Sequence, residues 1–302
     1  MNNTAYQMQL SPSFQYTLIA CNGASPWLRE FSHILQLSET QTISQNNIWY
    51  WIQNNKDDSF EKILCFIQNE YDQRLPMNNW ELKDFRCLKF YMHPEVSDLI
   101  CVLNEPVNEA IKYIQMYRSL QPIYKQLLCT GCLPVHAACA QLNGKGIIIA
   151  APGNTGKSTC SRRFPKPWKS LCDDETLIMR HSNGFSLHPF PTWSDYFEQR
   201  TPSVFPVEES ITCTTLFFLE QGMKDQVALL PKSEATVRLC ESAKQMCSGR
   251  LRSHKKDDAN YTKMMYTQIF NTACAITKNI PSYQLQATKD GKFWEHIEQV
   301  LR

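Results

Sequence analysis

Two periods of apolar spacing run along this chain, and the change from one to the other marks its elements. From Gln7 to Ala20 apolar and polar positions partly alternate, with Tyr16, Leu18 and Ala20 two apart, which predicts strands. Ile48 to Ile52 is aromatic and β-rich and predicts another strand. Leu88, Phe90 and Met92, then Leu99, Ile100 and Val102, continue the β pattern, whereas Ser59 to Gln68 fits either a strand or a helical turn. Near residue 106 the period lengthens: Pro106 suits a first helical turn, and Val107, Ile111, Ile114, Tyr117 and Tyr124 recur at helical spacing.

The second part of the chain returns to strands. Leu133 to Leu142 and Gly146 to Ala150 predict two strands joined by an Asn143-Gly144 turn. Lys157 to Phe164 predicts a short helix, stopped by Pro165 and Pro167. Thr176 to Met179, Ile211 to Leu219, Val227 to Leu230 and Ser282 to Ala287 predict strands, and Tyr261 to Thr277 and Phe293 to Leu301 predict helices. The segment Leu187-His188-Pro189-Phe190-Pro191-Thr192-Trp193 is too rich in turn formers to read as a routine core strand. The expected class is mixed α/β in two domains, a small mixed one over 1–105 and a second over 106–302.

Composition narrows the function classes. With 43% apolar residues and seven Trp in 302 residues, the chain is expected to fold around a core. Its 31 basic and 29 acidic side chains leave a net charge of +2, so electrostatics gives no reason to expect a nucleic-acid partner. No run of 18 apolar residues predicts a membrane span, and the first residues lack the basic and apolar blocks of a secretory signal, so the expected location is cytoplasmic. The 13 Cys are an odd number scattered along a long chain, which suits free thiols.

The candidate chemistry starts where the strand Gly146 to Ala150 breaks into Ala151-Pro152-Gly153-Asn154-Thr155-Gly156-Lys157-Ser158-Thr159. Strand, glycine-bearing turn and Gly-Lys-Ser at a helix start is the layout of a phosphate-binding loop, so nucleotide binding is the first hypothesis. Amides around Gly153, Asn154, Thr155 and Gly156 can face phosphate oxygens, Lys157 can reach the β- and γ-phosphates, and the Ser158 hydroxyl can ligate Mg²⁺, with Thr159 following. One departure from the pattern is Ala151 where the first glycine is usual.

Phosphoryl transfer also needs a carboxylate. Asp173-Asp174-Glu175 packs three acids together, which is costly without a cation or a shared proton. One carboxylate on Mg²⁺ and another taking the proton of an attacking hydroxyl would relieve it; a solvated acidic turn is the plainer alternative. Glu198 and Arg200 could complete a metal shell and offset charge on the phosphoryl group, or form a surface ion pair. Cys129-x-x-Cys132 with His136 and Cys139 invites a metal reading, but a strand would point His136 and Cys139 to opposite faces, and ordinary thiols are favoured. The basic run 250–256 suits either an acidic acceptor peptide or a solvated loop, and His181 and His188 flank an Asn183-Gly184 turn with no assigned role.

Leu133-Pro134-Val135-His136-Ala137-Ala138, the loop, Asp173-Asp174 and Glu198-Gln199-Arg200 together resemble the catalytic domain of HPr kinase/phosphorylase. Ile280 to Leu285 and Phe293-Trp294-Glu295 are similar to the C-terminus of HPr-kinase-related proteins, including the ScmC type of peptide-modification cassettes. The resemblance spans about 125–302 and implies a fold like phosphoenolpyruvate carboxykinase, with ATP and Mg²⁺ serving phosphoryl transfer to a serine hydroxyl of a protein or peptide. It implies Asp173 as general base, His136 beside the acidic pair, Asp174, Glu198 and Ser158 on the metal, and Lys157 on phosphate. Relatives often assemble, so a homo-oligomer is an expectation of the same origin. Thr201 stands where the family has Gly, and the glycine-rich segment of the bifunctional enzymes is absent, which favours kinase chemistry over the reverse reaction. Two rivals stay open, a small-molecule hydroxyl kinase on the same frame and a nucleotide-controlled binding module without chemistry. Because the motifs follow residue 130, substrate selection is expected of the N-terminal domain.

Overall fold

A computed structural model describes residues 4–12, 14–53, 59–198, 203–247 and 258–302. The chain is mixed α/β and groups into two compact units, Met1–Leu120 with Tyr196–Val204, and Gln121–Asp195 with Phe205–Arg302.

The first unit contains β1 (Ala5–Ser11), β2 (Phe14–Cys21), α1 (Ser25–Ile34), β3 (Ser38–Glu39), β4 (Asn47–Gln53), α2 (Phe60–Tyr71), β5 (Glu81–Asp84), β6 (Leu88–Met92), β7 (Leu99–Asn104) and α3 (Glu109–Ser119). Its seven-stranded sheet runs β3-β1-β2-β4-β7-β6-β5, with β2, β4 and β7 parallel at the centre. Central parallel strands bury both faces, and the sequence supplies apolar residues at successive positions of β4. Trp49 and Trp51 pack with Ile63, Leu64 and Ile67 of α2, while Tyr50 packs at a tilt against Trp27 of α1 from the other face.

The stretch that fitted either period is helical because Ser59 caps it, its side chain accepting the Lys62 amide. The helix expected from Pro106 begins later: Asn108 caps α3 through the Ile111 amide, and Val107 remains outside the helix and exposed. Tyr196 and Phe197, at the start of the returning segment, lay their rings on Tyr113 and Tyr117 of α3.

The second unit contains α4 (Gln121–Cys129), β8 (Leu133–Leu142), β9 (Lys145–Ala150), α5 (Lys157–Arg163), β10 (Lys169–Cys172), β11 (Glu175–His181), β12 (Gly184–Phe190), α6 (Trp193–Phe197, whose last two residues belong to the first unit), β13 (Ile211–Gln221), β14 (Gln226–Leu229), α7 (Lys232–Cys247), α8 (Asp258–Asn279), β15 (Ser282–Ala287) and α9 (Phe293–Leu301). Its eight-stranded sheet follows β10-β8-β11-β12-β13-β15-β14, and β9 pairs with both β8 and β13. Following the pairings from β8 through β11, β12, β13 and β9 returns to β8, so five strands close a ring.

The Pro- and aromatic-rich stretch expected to be irregular is mostly a buried strand, β12. It bonds β13 only at Ser186 and Leu187, so Pro189 lies beyond that ladder, where a residue without an N–H is tolerated. Gly146 is required by close approach, because a Cβ there would lie 2.7 Å from the Thr212 carbonyl oxygen and 2.6 Å from the Ile211 side chain. On one face of the sheet Ile149, Phe217, Leu219 and Leu285 pack with Cys160 of α5 and Phe293, Ile297 and Leu301 of α9. Arg163 ties those two helices together, its guanidinium 5.4 Å from the Phe293 ring centre and 5.7 Å from that of Trp294. On the other face lie α7 and α8.

Candidate functional site

The Gly-Lys-Ser turn rises from the end of β9, between β8 and β13. Asn154 and Gly156 take positive φ, 61° and 108°, and Gly156 is the residue immediately before α5. The left-handed turn is what makes glycine the suitable residue at 156. Ala151, the departure from the usual glycine, is buried and its methyl joins the core with Cys160 and Phe293, so this position is used for packing.

Lys157 bends back over the turn. Its ammonium donates to the carbonyl oxygens of Ala151 at 2.9 Å and Pro152 at 3.3 Å, and the Thr155 hydroxyl closes the turn on Pro152 at 2.8 Å. Burial lowers the Lys157 pKa, and the charges of Asp174 and Asp173 oppose that shift, which places the amine in the field of both carboxylates. Ser158 and Thr159 occupy the next positions of α5, Ser158 half-buried and Thr159 exposed.

Asp173 and Asp174 form a bend between β10 and β11. Both strands pair with β8, with Cys172 opposite Cys139 and Glu175 opposite His136, so the register is kept across the acidic pair, although it shifts between Ser170 and Cys172. The Asp173 amide donates to the Thr192 hydroxyl oxygen at 3.2 Å. Its Oδ1 is buried with no hydrogen-bond partner among the described residues, and its Oδ2 stands 3.8 Å from the Arg162 guanidinium. Asp174 meets His136 Nδ1 at 3.0 Å. Behind them Glu175 is fully buried and accepts from the Tyr124 hydroxyl at 2.7 Å. Burial, with the Asp174 charge adding to it, pushes the Glu175 carboxyl well above the ordinary range, while Tyr124 and Trp193 oppose the shift.

The second unit therefore brings together Gly153, Asn154, Thr155, Gly156, Lys157 and Ser158 on the turn with Asp173, Asp174 and His136 beside it. Glu198 belongs to the first unit, in Tyr196–Val204. Arg200 lies outside the described residues, as does the basic run 250–256. Arg162 was not among the expected site residues, although its place four residues after Ser158 puts both on one face of α5.

The remaining candidates have structural surroundings. Cys129 is exposed and donates to the Lys125 carbonyl, whereas Cys132 is buried beside Thr130; all 13 thiols are free. His181 Nε2 meets the Ser186 hydroxyl at 2.6 Å, and the buried His188 meets the Val207 carbonyl at 2.8 Å through Nδ1. Among the described residues no helix is long and apolar enough to cross a membrane.

The architecture and site define a mixed α/β protein with a Gly-Lys-Ser turn at the end of β9 and an acidic pair at the bend between β10 and β11, across the intervening strand β8. The chain belongs to the ScmC family: the family described as SynChlorMet cassette protein ScmC matches residues 99–302, from β7 to the end of the chain. No curated protein matches it.

Proposed function

We propose that this protein is an ATP- and Mg²⁺-dependent kinase that transfers the γ-phosphoryl group to a serine or other hydroxyl of a peptide or protein, on a fold like that of HPr kinase and phosphoenolpyruvate carboxykinase. The observation that carries the reading is the convergence of Lys157, held over its turn, with the Asp173–Asp174 bend. The family is described by a cassette, so a peptide encoded beside this gene is the proposed acceptor.

The residues suit both groups. Gly153 and Gly156 have nothing within 4 Å of where a Cβ would stand, which leaves their backbone open to phosphate oxygens. Among the described residues no three His, Cys, Asp or Glu side chains converge to cage a cation by themselves. Mg²⁺ needs no such cage when it is shared between a carboxylate or two, a hydroxyl and substrate phosphates, and Asp174 and Ser158 are the proposed protein ligands. Bound there, it would neutralise charge on the β- and γ-phosphates.

The chain's own groups account for the rest. The buried, unpartnered Oδ1 of Asp173 is an acceptor for the proton of an attacking hydroxyl. Lys157 exchanges the carbonyls of Ala151 and Pro152 for phosphate oxygens, regaining the full charge interaction that burial makes costly to leave unmet. His136 holds Asp174 through its 3.0 Å contact, leaving Asp173 free for the proton.

Intact-mass spectrometry after incubation with Mg-ATP and the peptides encoded beside the gene tests this. Addition of one phosphate to a peptide hydroxyl, abolished in Asp173→Asn, is the expected result. Phosphate appearing only on small-molecule hydroxyls, or tight ATP binding with no transfer to either class, would sink it.

A further inference from the structure

A cavity of about 500 Å³ continues from the Gly-Lys-Ser turn, whose Asn154 and Thr155 line one side of it, to residues of β13 and α7 that the site above does not use. Its apolar lining includes Ala150, Ala151 and Phe218, and its polar lining includes Glu220 and Gln221 at the end of β13 and Arg238, Glu241, Ser242 and Gln245 of α7. The size falls within the range of small-molecule sites, and apolar residues with a few polar groups are their usual lining.

The position of the cavity limits what it holds. Asp173 is approached by Arg162 of α5, whereas the cavity is walled by α7 on the face that carries Ala150 and Phe218. A ligand whose phosphates lie along the turn with their terminal group at Asp173 has its other end directed toward α7. The charge of the lining points the same way. Arg238 is neutralised locally, 2.7 Å from Glu220 and 2.6 Å from Glu234, so it does not invite a further anion. Glu241 is exposed in the lining and offers carboxylate oxygens suited to a vicinal diol.

We infer that this cavity receives the nucleoside end of the nucleotide, with Glu241 accepting from the ribose hydroxyls and Gln245 covering the base; the inference rests on the turn binding phosphate. Ser242 fixes the wall, its hydroxyl donating to the His136 carbonyl at 3.0 Å, so the position of α7 is set from the strand that also carries His136.

Calorimetric titration with Mg-ATP and with Mg-tripolyphosphate separates this inference from the phosphate reading beneath it. Gln245→Trp, which fills the cavity mouth, should weaken Mg-ATP at least about tenfold while tripolyphosphate stays within about twofold. Glu241→Ala, at an exposed position that leaves the fold intact, should erase the preference of the wild type for ATP over its 2′,3′-dideoxy analogue. Unchanged Mg-ATP affinity in Gln245→Trp together with an unchanged preference in Glu241→Ala overturns the inference, and loss of acceptor peptide affinity alone would assign the cavity to the acceptor. Failure of tripolyphosphate to bind the wild type, or equal binding by Lys157→Ala, overturns the phosphate reading itself.

Discussion

Arg162 reaches back from α5 to stand 3.8 Å from Asp173 and 3.4 Å from Asp195, joining the helix that follows the Gly-Lys-Ser turn to the acidic bend. Its guanidinium is 54% exposed, so the pair is screened and adds little to folding. Arg162→Ala should leave the melting temperature within about 2 °C. Under the proposed kinase reading its effect falls on phosphoryl transfer, because the same cation would face a phosphoryl group presented to Asp173. Phosphoryl transfer should fall about tenfold or more, with Arg162→Lys recovering part of it. Thermal melts and single-turnover rates check the two halves, and an unchanged rate in Arg162→Ala removes Arg162 from the site.

Lys157→Ala tests the turn. Loss of a charge-assisted contact to phosphate should weaken Mg-ATP about tenfold to a hundredfold. The ammonium is buried and its wild-type partners are two carbonyls, so the variant should remain folded. Calorimetry beside circular dichroism measures both; an equal affinity with intact fold removes the assignment.

Glu175 makes a pH prediction. Its folded pKa is raised above the unfolded value, so the native state holds a proton that the unfolded chain releases. Its favourable contribution is complete below the unfolded carboxylate value and is lost as pH rises toward the folded one. Glu175→Gln cannot titrate and should flatten that decline, which is limited to about 1.4 kcal/mol per pH unit. Urea denaturation at several pH values above 4.5 measures it, and parallel curves for the two proteins would show that Glu175 ionises alike in both states.

The thiols test the packing. Cys65 and Cys129 are exposed, whereas burial pushes the Cys213 and Cys247 thiols up to about 12. A chromogenic disulfide reagent should titrate Cys65 and Cys129 fastest in the native protein, and Cys129→Ala should remove one rapid equivalent. Fast reaction of Cys213 in the native state would contradict the closed core around β13.

Much of the second unit was legible because its signals are local. β9, the turn and α5 follow one another in a few residues, and each is specified by its own neighbours: an apolar run, glycine at a positive φ, then a helix ended before Pro165. The meeting of Lys157 with Asp173 and Asp174 is not local. It depends on β8 lying between β9 and the β10–β11 edge, so beforehand those residues were linked by the chemistry phosphoryl transfer needs and by the resemblance, not by spacing. α7 gave no clear signal, since on the side it buries only Leu239 and Met246 are large and apolar, among small or polar residues such as Ala235, Thr236, Ser242 and Ala243. The cavity it walls was therefore invisible too. β12 is hard to read because Pro189, with Pro191 just beyond the strand, looks like a turn until the end of the β13 ladder gives it a place.

The closed ring of strands acts as a ruler with two independent readings. β8 is positioned against the Gly-Lys-Ser turn directly through β9, and again by the longer route through β11, β12 and β13. A one-residue slip at any single ladder would have to be matched by slips around the whole circuit, and each would turn core side chains outward. The offset between Lys157 and the Asp173–Asp174 bend is thus a counted number of residues fixed twice over. Loops outside the circuit can change length without altering it.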